Sequence, residues 1–322
     1  MGSKAMDERV RPLYNITEDM PAFLTEYENS LDPVESTIPQ LDAMLNGGFR
    51  PGVHFIGGNT GAGKSSFCIW LAERIASCID PDTGEPTGVT YISLELSKSE
   101  VRARMDSRIS YFKDGIEPFR WADFEKMGRS MKAGRIAGTY DPMDDPVYLA
   151  DIELMANCPN MRIVDNIKDP NANRLMDVCM EIASLGMAKG RICFVDYLQC
   201  IDCGQGFDEQ EAMKETVREL NLAGIRAGVA VVCIAAVNRT KGSEMSNSDR
   251  AKNPGADIFR GSSWIEYTGL SAFALIRRKD AERVGGFTEI ELYPVKNRRG
   301  TCDEPVLLAY NGAYGEWVYK EV

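Results

Sequence analysis

A chain of 322 residues has room for one large α/β domain or two small ones, and 44% hydrophobic with 26% charged residues excludes collagen, coiled coil, mucin and disordered classes. Lys and Arg total 37 against 48 Asp and Glu, a net charge of −11, so a bulk nucleic-acid coat is excluded and any polyanion must be met by a local patch. No apolar run has membrane-spanning length and the start, MGSKAMDERV, lacks the apolar segment of a secretory signal, which predicts a cytoplasmic chain away from membranes.

In chain order, residues 1–32 form an arm with a short amphipathic helix around Phe23, Leu24 and Tyr27, and residues 33–322 form the domain. From STIPQLDAMLNGGFRPG onward strand and helix patterns alternate: VHFIGG, KSSFCIWLAERIAS, GVTYISLEL, SKSEVRARMDSRISYF. That rhythm predicts a mostly parallel, twisted sheet flanked by crossover helices. Residues from Gly115 to Asn160 read as irregular helix, with FRWADFEKMGRSMKAGRI its clearest amphipathic piece and Pro142 and Pro146 breaking the helical pattern beyond it. The alternation resumes through MRIVDN, ANRLMDVCMEIASLGMAKG, RICFVDYLQCI, EAMKETVRELNLAGIRAG and VAVVCIAAV. The strands LSAFALIRR, FTEIELYPVK and EPVLLAY close the chain. Nine cysteines, several inside these apolar runs, predict reduced, buried thiols. The pair Cys200 and Cys203 has no second pair at metal spacing, and the one histidine, His54, falls in a strand, so a zinc site is not expected.

The segment Gly58, Asn59, Thr60, Gly61, Ala62, Gly63, Lys64 and Ser65, continued by Ser66, matches GxxxxGK[ST] between an apolar strand and a helix. Glycines there let backbone N–H groups turn inward around phosphates, and the helix adds its positive N-terminal end. Lys64 is placed to reach the β and γ phosphates of ATP, and Ser65 to bind Mg²⁺. RICFVDYLQ ends four apolar residues in Asp196, the carboxylate expected to share the magnesium with Ser65. Glu95, ending the strand in TYISLELS, is a candidate to align the attacking water or simply a solvated acid.

Taken together, STIPQLDAMLNGGFRPG, GGNTGAGKSS, YISLELS, CFVDYLQ, AVNR, FRGSSWIEY and KNRRG resemble the C-terminal RecA-like ATPase domain of DnaB-type replicative helicases over residues 35–320. The resemblance implies a RecA-like P-loop NTPase fold, assembly into a ring that is usually hexameric, ATP between subunits and single-stranded DNA in the channel. It implies that Glu95 activates the water and that Lys296 and Arg298 of KNRRG reach a neighbour's γ-phosphate, Arg298 as an arginine finger; adjacent Arg299 is expected in solvent. It also implies dealings with a replication fork, a primase or a helicase loader. Full-length relatives carry an N-terminal helical domain that the arm is too short to form. Where the family carries a glutamine in a SQLNR-like run, Ala236 stands here, and Asn238 or Arg239 are candidates to take its place.

Two polar stretches fit the family's DNA loops, Cys203–Glu211 and Lys241–Ser263. From Arg239 to Lys252 four basic residues (Arg239, Lys241, Arg250, Lys252) face two acidic ones (Glu244, Asp249), an excess of +2. Arg260, Gly261 and Ser263 match the segment that holds DNA phosphates in relatives, and Trp264 is read as core or interface in preference to a base-stacking platform. The function expected is an ATP-hydrolysing ring helicase that moves along single-stranded DNA and unwinds duplex. The alternative is a RecA-like or KaiC-like ATPase that assembles on ATP without unwinding, with a small-molecule kinase further behind.

Overall fold

The computed structural model describes residues 16–28, 30–165, 173–237, 258–259, 262–278, 281, 283–302 and 304–320. The chain divides into two units, Met1–Asp32 and Pro33–Val322. In the first, helix α1 (Ile16–Glu28) carries Ile16, Met20, Phe23 and Tyr27 on one stripe, all exposed.

The second unit is built on a ten-stranded sheet. Its elements run α2 (Pro39–Met44), β1 (Gly52–Gly58), α3 (Lys64–Ala76), β2 (Val89–Ser93), α4 (Lys98–Phe112), α5 (Phe124–Ala137), α6 (Pro146–Asn157), β3 (Met161–Asp165), α7 (Leu175–Met187), β4 (Ile192–Asp196), α8 (Glu209–Ala227) and β5 (Ala230–Ala236). They continue with α9 (Ser262–Thr268), β6 (Ser271–Ile276), β7 (Arg283–Val284), β8 (Phe287–Asn297), β9 (Val306–Asn311) and β10 (Glu316–Tyr319). The strand order is β10-β9-β8-β6-β1-β5-β4-β2-β3, with β7 paired to β8. From β6 to β3 every pairing is parallel; β8, β9 and β10 add antiparallel.

The central strands read as near-continuous apolar runs because both sheet faces are covered. Along β4, Ile192 and Phe194 enter the core beneath α3, α4 and α6, while Cys193 and Val195 enter the one beneath α7, α8 and α9. The chain leaves β1 and skips two positions to reach β2, and β4 and β5 later fill the gap. This is the mixed α/β, mostly parallel sheet expected from the sequence, and the predicted strands fall where the patterns placed them.

Two expectations need correction. Pro146 does not break a helix; it occupies the first turn of α6, where its missing N–H costs nothing, and Asp145 caps that turn by accepting from the N–H groups of Val147 and Tyr148. Pro142 likewise opens a 3₁₀ turn, Pro142–Asp144. The amphipathic stretch through Phe124 forms α5 as expected; no residue of that helix is fully buried, and half-buried Met127 packs against the core beneath α3, α4 and α6. Four cysteines are buried as expected, whereas Cys78 and Cys302 are exposed. His54 sits in β1 between Ser271 Oγ and the Arg50 carbonyl, each 2.8 Å from a ring nitrogen, and burial pulls its pKa down to about 4.

Candidate active site

In an open parallel sheet the carboxyl ends of the strands, beside a change in strand order, leave a crevice. Here β1 ends at Gly58 and the next five residues swing the chain into α3. Gly61 and Gly63 hold φ of 80° and 85°, the left-handed region that favours glycine. A Cβ on Gly63 would lie 2.8 Å from the Trp317 ring, so a side chain there would collide with the floor of the loop. Gly63 is the N-cap of α3 and no side chain caps the helix, which leaves its first-turn amides available to an anion.

Gly58, Asn59, Thr60, Gly61, Gly63, Lys64, Ser65 and Ser66 line a cavity of about 870 Å³ together with Glu95 and Asp196. The loop and both acids that the sequence singled out are therefore in one place. Ala62 is the exception: it is buried, and its N–H closes the loop on the Asn59 carbonyl at 3.0 Å. Lys64 Nζ lies 2.9 Å from the Gly58 carbonyl and 3.1 Å from that of Asn59, folded over the loop; burial lowers its pKa while Asp196 and Glu95 oppose that shift.

Asp196 ends β4 almost fully buried, and burial pushes its carboxyl above the usual range, opposed by hydrogen bonds from Ser65 and Tyr91. Tyr91 Oη donates to Asp196 Oδ2 at 2.9 Å, which fixes the carboxylate plane. Asp196 Oδ1 is buried with no hydrogen-bond partner among the described residues. An orphaned carboxylate oxygen beside a serine hydroxyl is a hard-oxygen donor set, so the residues present fit a small divalent cation. The backbone bond from Leu94 N–H to the Asp196 carbonyl, 2.6 Å, ties the turn after β2 to the end of β4 and brings exposed Glu95 to the rim.

Lys296 and Arg298 are not part of this cavity's lining. Lys296 Nζ contacts the Ile265 carbonyl at 3.4 Å, at the middle of α9, and Arg298 Nη2 donates to the Tyr267 carbonyl near its C-terminal end. Asn297 pairs with Ser271, which pairs with His54; four residue steps along β1 then lead from His54 to Gly58, roughly 13 Å at about 3.3 Å per residue. Arg298 and Arg299 are exposed. Lys241, Arg250, Lys252, Arg260 and Gly261 lie outside the described residues, as does the side chain of Ser263 on α9. Trp264 is half-buried with Lys214 Nζ 4.9 Å over its ring.

The cavity also holds residues that sequence reasoning passed over. Arg104 of α4 stacks on Trp121, 4.2 Å from the ring centroid, and both line the cavity with Tyr310 of β9. Gln199, on the 3₁₀ turn Leu198–Cys200 after β4, does so too. No local pattern marks Arg104, Trp121 or Tyr310, which come together only through the fold, whereas Gln199 closes the CFVDYLQ run three residues beyond Asp196.

Residues 33–318 match the family model described as the DnaB-like helicase C-terminal domain. The chain belongs to that family. It is 25% identical over 213 residues to the replicative DNA helicase DnaB of Nostoc sp., 65% of this chain and 21% of that protein. It is 28% identical over 113 residues to the DNA repair protein RadA of Halalkalibacterium halodurans, 34% of this chain and 23% of that protein. The chain thus spans between a fifth and a quarter of each relative's length. Among solved structures, an ATPase domain matches with a TM-score of 0.72 at 19% identity, covering 96% of this chain and 100% of that one. A DnaB-like replicative helicase, described with its interactions with primase, matches with a TM-score of 0.69 at 19% identity, covering 96% and 68%. The fold is accordingly RecA-like. Membership in the DnaB-like family implies nucleotide binding with a divalent metal. Among the described residues no helix is long and apolar enough to cross a membrane.

Proposed function

We propose that this chain is the ATPase motor of a DnaB-type helicase, which hydrolyses ATP between subunits of a ring and uses it to move along single-stranded DNA and open duplex. The observation that carries this reading is a separation. Lys64, Ser65, Asp196 and Glu95 share one cavity, while Lys296 is in register, through Ala272, with Phe55 at the middle of β1, Arg298 lies beyond Asn297 toward the start of that strand, and neither lines the cavity. A basic pair so placed is suited to complete another copy's site. Such a head-to-tail contact repeats, and where its rotation closes it makes a ring, which in this reading has six copies.

In the proposed site the loop amides and Lys64 hold the ATP phosphates, and Ser65 and Asp196 hold Mg²⁺, which neutralises charge on the phosphate oxygens. Glu95 orients the attacking water, and Lys296 and Arg298 of a neighbour meet the charge that develops on the transferred group. DNA phosphates are met by Lys241, Arg250, Lys252, Arg260, Gly261 and Ser263, contacts that carry no sequence information and suit a motor indifferent to sequence. Residues 1–32 act as an arm and 33–322 as the ATPase domain. The working partners are a replication fork and a primase or loader, in the cytoplasm.

The test is a forked duplex with a single-stranded 5′ tail, supplied with Mg²⁺ and ATP. Opening of the fork, its loss in Lys64→Ala, and an ATPase rate stimulated by single-stranded DNA are expected. A fork that stays closed while ATP still drives assembly would replace this reading with the RecA-like or KaiC-like module. An ATPase rate independent of both DNA and protein concentration would point to a small-molecule kinase.

A further inference from the structure

Two residues in the wall of the nucleotide cavity each carry a buried polar atom without a partner among the described residues, and the two atoms are of opposite kind. Asp196 Oδ1 is an acceptor, and the cation proposed above answers it. Gln199 Nε2 is a donor: it is buried, it has no hydrogen-bond partner, and its side chain lines the same cavity as Lys64, Ser65 and Glu95. Leaving an amide NH₂ without an acceptor costs its full desolvation, so its position calls for an anionic or polar ligand to enter.

The orientation of that amide is fixed by chemistry. Gln199 Oε1 accepts from the Ala236 backbone N–H at 3.1 Å. A backbone N–H can be met only by the carbonyl end, so the NH₂ end must be the free one. Three features of the chain lock the arrangement. The 3₁₀ turn Leu198–Cys200 follows β4 directly and sets Gln199 three residues beyond Asp196; Leu198 is buried and anchors the turn; and the neighbouring position, Ala236, has a methyl side chain that leaves room and offers no competing hydrogen bond. A neutral double donor, held by the end of β5, therefore lies unsatisfied in the wall of the cavity, close to the carboxylate proposed to hold the metal, where a nucleotide phosphate would have to draw it out.

We infer that Gln199 reads the terminal phosphate of the bound nucleotide, its Nε2 donating to a γ-phosphate oxygen while its Oε1 stays on the Ala236 amide. This rests on the reading of the cavity as an ATP site. ADP has no group at that place, so Gln199 would discriminate between the two nucleotides and contribute little to the affinity they share. It would also make the last residue of β5 the first backbone position to register the loss of the γ-phosphate, because the same side chain bonds both.

The experiment is equilibrium binding of ADP and of the non-hydrolysable β,γ-imido analogue of ATP, each with Mg²⁺, to the full chain and to two variants. Gln199→Glu keeps an oxygen for Ala236 and replaces the donor by an acceptor; Gln199→Met keeps the bulk and removes both polar ends. Both are expected to bind the analogue about ten- to a hundredfold more weakly while ADP affinity changes much less, so the preference for the analogue falls. If Gln199→Glu loses cooperative melting, Gln199→Met carries the reading. Equal losses for both nucleotides, or no loss for either, would overturn the inference, since a merely structural glutamine would not separate them. A parent chain that binds neither nucleotide overturns the ATP site and this inference together, whereas normal parent binding with unchanged discrimination in the variants overturns this inference alone.

Discussion

Tyr91 has no role in the loop motif, yet its phenol holds Asp196 Oδ2 while Oδ1 keeps no hydrogen-bond partner among the described residues. Outer partners of this kind commonly govern metal affinity by about 10- to 100-fold when removed. Tyr91→Phe keeps the ring in the core and deletes that one bond. It is expected to raise the Mg²⁺ concentration needed for half-maximal ATPase by about that factor, with a melting temperature close to the parent's; a magnesium titration of the rate measures it. A second residue departs from ordinary solution behaviour. Asp106 of α4 is buried with Oδ1 unpartnered, and burial, reinforced by Asp151 and opposed by Arg102, raises its pKa to about 8. Because the folded value exceeds the usual 3.8, its contribution to stability is complete below that value and is lost as pH rises through 8. Asp106→Asn should therefore flatten the decline in melting temperature between those limits, which thermal melts across the range would record. Sequence reasoning could find Lys64, Ser65, Asp196 and Glu95, because each sits at a fixed offset from a strand end. It passed over Gln199, although that residue stands three positions beyond Asp196, and it could not find Tyr91 or Arg104, whose contacts depend on which elements become neighbours.

At the scale of elements, the β/α alternation was readable because buried parallel strands are uniformly apolar and their helices are long. The short C-terminal strand β10 was not: GEWVY has only four strand residues, and its value lies in one side chain. Trp317 is fully buried, stacks on Tyr310 with centroids 4.2 Å apart, meets Phe67 edge-on at 5.2 Å, and donates from Nε1 to Ser66 Oγ at 3.4 Å. It is the floor on which the Gly63 turn rests, so the last strand of the sheet supports the loop that follows the first. Truncating a buried Trp typically costs about 3–5 kcal/mol, transfer and cavity terms combined. Trp317→Ala should lose that much in denaturant unfolding and bind Mg²⁺-ADP more weakly as well, because the loop loses its support. Trp317→Phe should recover most of both. A variant destabilised to that extent but binding ADP normally would show that the loop holds its shape without the floor. The misread prolines have a similar origin: Pro142 and Pro146 look like breaks when only interior helix positions are considered, but each follows an aspartate that caps the turn it opens.

For the whole molecule, the proposed division of each site between two copies makes a prediction that no single-chain enzyme would share. A Lys64→Ala subunit would lack the phosphate lysine of its own site but still lend Arg298 to a neighbour. An Arg298→Ala subunit would keep its own loop and spoil the neighbour's site. Each variant alone should bind or assemble yet turn over slowly, the arginine variant by about 10³- to 10⁵-fold if it acts as a finger does elsewhere. Mixed in equal amounts and allowed to exchange, they would place an intact loop against an intact arginine at about a quarter of the head-to-tail contacts in a ring. ATPase activity should then reappear in the mixture, be absent from either protein alone, and fade on dilution below the concentration at which the ring forms. The net charge of −11 gives this measurement a useful control, because separate acidic chains repel and added salt should ease assembly even as it weakens DNA binding. A mixture that stays as inactive as its components, while the parent protein is active and subunits demonstrably exchange, would mean that Arg298 never reaches a neighbour's phosphate and that each chain completes its own site.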